Sequence, residues 1–174
     1  MEIALRPLSE ADLETVRNWR NSPEVARYMY TGNHITAAQQ QAWFQRVNAD
    51  PTKRFWMIEY AGRAVGVVNV VALHATHRSC HLGIYFGAQD IRGKGLGRGT
   101  MRLLLARVFG ELGMNKIVAE AFSWNGQAIA LYEKMGFRQE GVFRQEIWKD
   151  GKFHDVVRLA LLAEEWNSAE EVKP

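Results

Sequence analysis

Residues 92–99 read Arg-Gly-Lys-Gly-Leu-Gly-Arg-Gly, with an apolar-striped run directly behind them, and few folds can hold such a segment. Glycines stand at 93, 95, 97 and 99, and Arg92, Lys94 and Arg98 are interleaved with Leu96. Behind them Met101, Leu104, Leu105, Val108, Phe109 and Leu112 recur at the spacing of one helix face. Glycine lets backbone N–H groups approach a bound oxygen without a Cβ in the way. A helix start adds unpaired N–H groups and the positive end of a dipole. The segment therefore reads as a cradle for an anion, and a pyrophosphate is its natural guest. It is not a P-loop, which needs GxxxxGK[ST]. It is not a dinucleotide fingerprint either, because position 100 is Thr and no βαβ unit opens there.

The rest of the chain sets the cradle in context. Glu2–Leu8 reads as a strand. Ser9, with Asp12 three residues on, starts a helix carrying Leu13, Val16 and Trp19. Ser22-Pro23 opens a second helix and Thr36 caps a third, with Trp43, Phe44 and Val47. Strands follow at 55–60, 63–71 and 81–86, with a polar loop over 72–78. After the glycine loop and its helix, Gly113 ends the helix and Lys116–Phe122 is a strand. Asn125 caps a helix that Gly136 stops, and 137–149 and 152–162 form a hairpin across Asp150-Gly151. Antiparallel strands dominate and helices are interspersed, so the class is α+β with a mixed, mostly antiparallel sheet flanked by helices. Residues 1–166 read as one domain and 167–174 as a polar tail.

Composition narrows the function classes. No basic-then-apolar leader and no run of roughly 20 apolar residues is seen, which points to a cytoplasmic protein without a membrane partner. Cys80 is alone, so it forms no internal disulfide and belongs to no CxxC metal site. Histidines 74, 77, 81 and 154 lack metal spacing, and no metal is expected. The net charge of +3 is concentrated on the glycine loop rather than spread in a stripe, which argues against a nucleic-acid partner.

Two stretches resemble the GNAT acetyltransferase family. Arg92-x-x-Gly95-x-Gly97 is similar to its Q/R-x-x-G-x-G/A signature. Asn125-x-x-Ala128-x-x-Leu131-Tyr132-Glu133-Lys134-x-Gly136-Phe137 is similar to its later helix. The resemblance covers nearly the whole chain. It implies the GNAT fold, acetyl-CoA as co-substrate, and direct acetyl transfer to an amine with no covalent enzyme intermediate. Cys80 then needs no role as a nucleophile. The resemblance places the pyrophosphate on Arg92, Gly93, Lys94, Gly95, Leu96, Gly97, Arg98 and Gly99. It places the pantetheine arm along Leu82, Ile84, Tyr85 and Phe86, with Asn125 close by. It makes Tyr132 the acid that protonates the leaving thiolate and Glu120, on the preceding strand, the base that deprotonates the amine, directly or through water. A phenol, with a reference pKa near 10, can donate at neutral pH.

The acceptor reading rests on the first third of the chain and on Phe122-Ser123-Trp124-Asn125. These resemble nucleotide-amino-sugar acetyltransferases of pseudaminic acid biosynthesis, the route to flagellin glycosylation. That implies transfer to the 4-amino group of a UDP-linked deoxy sugar. Trp19, Tyr30 and Trp124 can stack on a sugar or uracil face, Arg17 and Arg20 can meet a diphosphate, and His81 can face the cleft. The alternatives are a ribosomal-protein N-terminus or a polyamine. A polyamine site wants acidic residues lining the cleft, and the sequence shows no acidic cluster. A homodimer is left open.

Overall fold

A computed structural model of the protein describes residues 2–91 and 93–166. Arg92, expected on the cradle, and the tail at 167–174 lie outside the described residues. The elements run β1 (Ile3–Pro7), α1 (Leu13–Asn21), α2 (Pro23–Ala26), α3 (Ala37–Ala49), β2 (Arg54–Tyr60), β3 (Arg63–His74) and β4 (Ser79–Phe86). They continue with α4 (Leu96–Leu105), β5 (Lys116–Phe122), α5 (Gly126–Lys134), β6 (Arg138–Lys149) and β7 (Lys152–Leu162).

Seven strands form one sheet in the order β1-β2-β3-β4-β5-β7-β6. The β4–β5 pair is parallel and the other neighbours are antiparallel. One face carries α4 and α5 over Ile58, Val68, Val70, Leu82, Ile117, Ala119 and Leu159. The other carries α1 and α3, with Leu13, Val16 and Phe44 packed on Met57 and Val67. The α4 stripe is buried as its spacing requires: Met101, Leu104, Leu105 and Val108 are each 0% exposed.

The local chemistry explains the helix starts. Thr36 Oγ1 accepts from the Gln39 N–H at 3.2 Å while Gln39 Oε1 accepts from the Thr36 N–H at 2.9 Å, a reciprocal cap. At the first helical turn the Asp12 carboxylate accepts from Ser9 N–H and Oγ at 2.8 Å and from Arg6 at 2.7 Å.

Two boundaries differ from the sequence reading. The polar loop expected over 72–78 is shorter, because β3 runs on to His74, which pairs with Ser79. Ala72, at φ 51°, absorbs the irregularity in register. The glycine-loop helix stays α-helical only to Leu105 and continues as a π turn over Ala106–Glu111. There the Leu112 N–H reaches back to the Arg107 carbonyl at 2.8 Å. No described helix is long and apolar enough to cross a membrane.

The central feature is where pairing stops. Strands β4 and β5 pair from Ser79↔Lys116 to Leu82↔Ala119, yet β4 continues to Phe86 and β5 to Phe122. The two strands splay, and a wedge opens in the middle of the sheet.

Candidate active site

The wedge has a backbone wall, a glycine end and an aromatic end. Residues 83–86 of β4 form the backbone wall. Leu82 is buried in the core, and Ile84 and Phe86 pack against the α4 side. Tyr85 points to the α1 side, where burial pushes its phenol well above the usual range. A Cβ at Gly66 would strike the Tyr85 carbonyl, so that position of β3 must be glycine for β4 to lie this close.

The glycine end has the conformation the cradle needs. Gly93 and Gly95 hold φ of 78° and 69°, in the left-handed region, with nothing within 4 Å of where a Cβ would stand. Gly95 is the N-cap of α4 and offers no side-chain cap, so the first-turn N–H groups stay available. Leu96 is buried beneath them, Gly99 is half-buried, and Arg98 is exposed. Lys94 rests its ammonium 5.5 Å from the Tyr60 ring centroid. Gly97 has a further reason to lack a side chain: a Cβ there would stand 3.1 Å from Leu131 of α5. The open loop and uncapped helix start fit a diphosphate. Asn125 caps α5, its side chain accepting from the Ala128 N–H at 3.3 Å.

Tyr132 lies on α5 with its ring 4% exposed and tilted on Phe137 at 5.6 Å. Among the described residues its hydroxyl has no protein hydrogen-bond partner and is not sealed away from solvent. Burial pushes the phenol up to about 12, so it keeps its proton. Glu120 stands on β5 just past the last pair with β4, its carboxylate 3.7 Å from Arg158 of β7, its register partner. His81 lies close enough to feel both. Its pKa is lowered by burial first, opposed by Glu120 and assisted by Arg158. Cys80 is 0% exposed in the core, its thiol pushed up to about 12 by burial, which suits a packing residue.

Tyr30 ties these groups together. Its phenol is raised by partial burial first, then by the charges of Glu120, Tyr132 and Glu146, which lie on β5, α5 and β6. Its ring meets Phe122 edge-on at 5.1 Å. Phe122 stacks on Trp124 at 4.9 Å and 11°, and Tyr28 leans on Trp124 at 5.7 Å. The Trp124 indole N–H donates to His154 Nδ1 at 3.1 Å. Glu146 lies where β6 bulges between Phe143 and Ile147, with Gln145 at φ 56° and its N–H donating to Asp155 at 2.7 Å.

The structure thus gathers Tyr132, Glu120, His81, Tyr30 and Trp124 around the free end of β5. The other expected acceptor residues divide. Arg17 lines a groove with Glu10, Leu13, Glu14, Gln40 and Gln41 between α1 and α3, away from the wedge. Trp19 is a packing residue, its indole occupying the space a Cβ at Gly87 would need. Arg20 stays near Tyr85, with a buried Nε that has no partner among the described residues. Glu120 of β5 and Glu146 of β6 both act electrostatically on the Tyr30 phenol, and no run of sequence displays them together. Phe122 could be found, since alternation puts it on the Glu120 face. Glu146, His154 and Arg158 carried no local signal.

With this geometry in place, comparisons identify the family. A family model described as an acetyltransferase (GNAT) domain matches residues 2–138, and the chain belongs to that family. The spermidine N(1)-acetyltransferase of Vibrio cholerae is 26% identical, over 98% of each chain. A crystal structure of the Vibrio cholerae spermidine N-acetyltransferase with CoA and spermine superposes with a TM-score of 0.90. That match has 26% identity and covers 95% of this chain and 98% of that one. A Bacillus subtilis protein provisionally named a ribosomal N-acetyltransferase is 32% identical over 62% of this chain and 58% of its own. The protein is an acetyl-CoA-dependent N-acetyltransferase with the GNAT fold.

Proposed function

We propose that the acceptor is a primary amine of a polyamine, acetylated directly from acetyl-CoA. The observation that carries this is the aromatic end of the wedge, where Tyr30 and Trp124 stay 39% and 42% exposed against the buried Phe122 ring and the Glu120 and Glu146 charges act on the Tyr30 phenol. A linear aliphatic cation presents methylenes, which suit flat apolar rings, and ammonium groups, which suit carboxylates and ring faces. The relatives that act on spermidine support the reading. The nucleotide-sugar reading drew on Arg17 and Trp19, and the fold commits both elsewhere.

The chemistry then divides among residues of this chain. Bound acetyl-CoA supplies the thioester carbon that the amine attacks. The N–H groups of Gly93–Gly99 and the start of α4 hold the diphosphate. The backbone of 83–86, free of β5, lies along the pantetheine arm beside Asn125. Glu120 takes the ammonium proton, directly or through one water, because an ammonium has no lone pair. Tyr132 holds a proton ready for the departing sulfur. His81 packs beside Glu120 as a neutral imidazole, lining the acceptor side.

The test is acetyl transfer from acetyl-CoA to spermidine, spermine and putrescine, with a UDP-4-amino-sugar and an N-terminal peptide alongside, read by mass spectrometry of the acceptor. Acetylated polyamine with silent sugar and peptide is expected. An acetylated sugar or peptide with silent polyamines would overturn the acceptor assignment and leave the cofactor side intact.

A further inference from the structure

Lys149 looks ordinary in the sequence, since it precedes the Asp150-Gly151 turn, where lysines usually reach into solvent. In the structure it is 7% exposed. Its ammonium donates to the carbonyl of Ala26, the last residue of α2, at 2.9 Å and to that of Met29, three residues beyond, at 2.8 Å. Gly32 closes over it, with room for a Cβ no nearer than 3.6 Å to Nζ. The residues between those anchors and just beyond are Tyr28 and Tyr30, the rings that lie on Trp124 and Phe122.

The Lys149 backbone is tied to the opposite wall. The indole N–H of Trp124 can only donate, so His154 Nδ1 must accept, and His154 Nε2 then donates to the Lys149 carbonyl at 3.2 Å. One residue therefore holds both walls of the aromatic end. Its ammonium fixes the Tyr28–Tyr30 segment, and its carbonyl, through His154, fixes Trp124. None of these hydrogen bonds reaches the glycine loop, Glu120 or Tyr132.

We infer that Lys149 is a positioning residue for the acceptor: it sets the spacing between the Tyr28–Tyr30 segment and the Phe122–Trp124 wall, and through that spacing governs acceptor binding. The inference rests on the aromatic end being the acceptor site, as proposed above. Lys149→Met keeps the aliphatic stem and removes the donor. Expected is a rise of about tenfold or more in KM for spermidine. KM for acetyl-CoA and the affinity for free CoA should stay unchanged. Hydrogen exchange should rise at amides 27–32 and not at 93–100. Tyr30→Leu, at a position 39% exposed, should keep the fold and reproduce the KM effect. Adding Lys149→Met to that variant should then raise KM by far less than tenfold, since the two changes act through one contact. An unchanged exchange at 27–32, a matching rise at 93–100, a loss of CoA affinity, or additive KM effects would each overturn the inference. If no polyamine is acetylated by the wild type, the acceptor assignment fails on its own. The exchange arm still decides whether Lys149 holds the segment, and the KM arm moves to the amine that is acetylated.

Discussion

Replacing Tyr132 by Phe isolates one atom, the hydroxyl oxygen with its proton. The ring is 4% exposed and lies on Phe137, and Phe keeps that packing. The hydroxyl has no protein partner among the described residues, so no buried group is orphaned, and the fold should lose less than about 1 kcal/mol. The loss should fall on the transition state instead. A positioned general acid contributes roughly 10²–10⁴ in rate. Turnover should therefore slow by roughly a hundredfold to a thousandfold, which corresponds to about 3–4 kcal/mol at the barrier. Because burial pushes the phenol up to about 12, this acid should impose no falling limb on the rate between pH 8 and 10. The assay is thiol release from acetyl-CoA across that range, with CoA affinity and melting temperature measured on the same samples. Turnover within about threefold of wild type would refute the acid role. So would a drop in CoA affinity as large as the drop in turnover. A limb near pH 9–10 that vanishes in the variant would show that the phenol titrates at its ordinary value.

Other perturbations separate the remaining parts. Glu120→Gln should slow turnover by roughly a hundredfold while leaving CoA affinity alone, and an unchanged turnover would exclude Glu120 as the base. Gly97→Val pushes into Leu131 at the start of α4, so CoA affinity should fall by about tenfold or more while the fold loses about 1–2 kcal/mol, as overpacking does. Normal affinity in that variant would refute the cradle. Asp12→Asn tests the first turn. Hydrogen bonds from Arg6 chiefly lower its pKa from 3.8 to about 2, so its stabilisation is present above pH 3.8 and is lost as pH falls through 2. Because Arg6 is 37% exposed in its side chain, the effect at pH 7 should be about 1–2 kcal/mol. Urea melts should show that gap closing toward pH 2, and a constant gap would refute the linkage.

The cradle is legible in the sequence because its parts are local: four glycines, the cations and a helix stripe occupy one run, and each acts within a turn of its neighbours. The Asp150-Gly151 hairpin turn is legible for the same reason, as is the Asn125 cap. What escapes is set by register. Arg158 meets Glu120 because β5 and β7 pair antiparallel across 38 positions of sequence, and nothing near either residue states that pairing. Glu146 sits in a bulge whose strained residue is Gln145, not a glycine that would have marked it. The π turn after Leu105 is likewise unmarked, since its apolar spacing also suits an α-helix. The sequence shows only the backbone freedom of Gly97, and its contact with Leu131 depends on where α5 docks. The acceptor is hidden for a related reason. An aromatic-rich segment offers flat apolar faces, and a uracil, a sugar and an alkyl chain all accept such faces. Charge separates them, and the charges at this site arrive from β5 and β6, far in sequence from the aromatic residues at 28 and 30. The N-terminal segment therefore supplies surface without sign, and the strands across the wedge supply the sign. A reading of acceptor class from that segment alone should fail wherever the opposing strands change their acids, even with every aromatic residue kept.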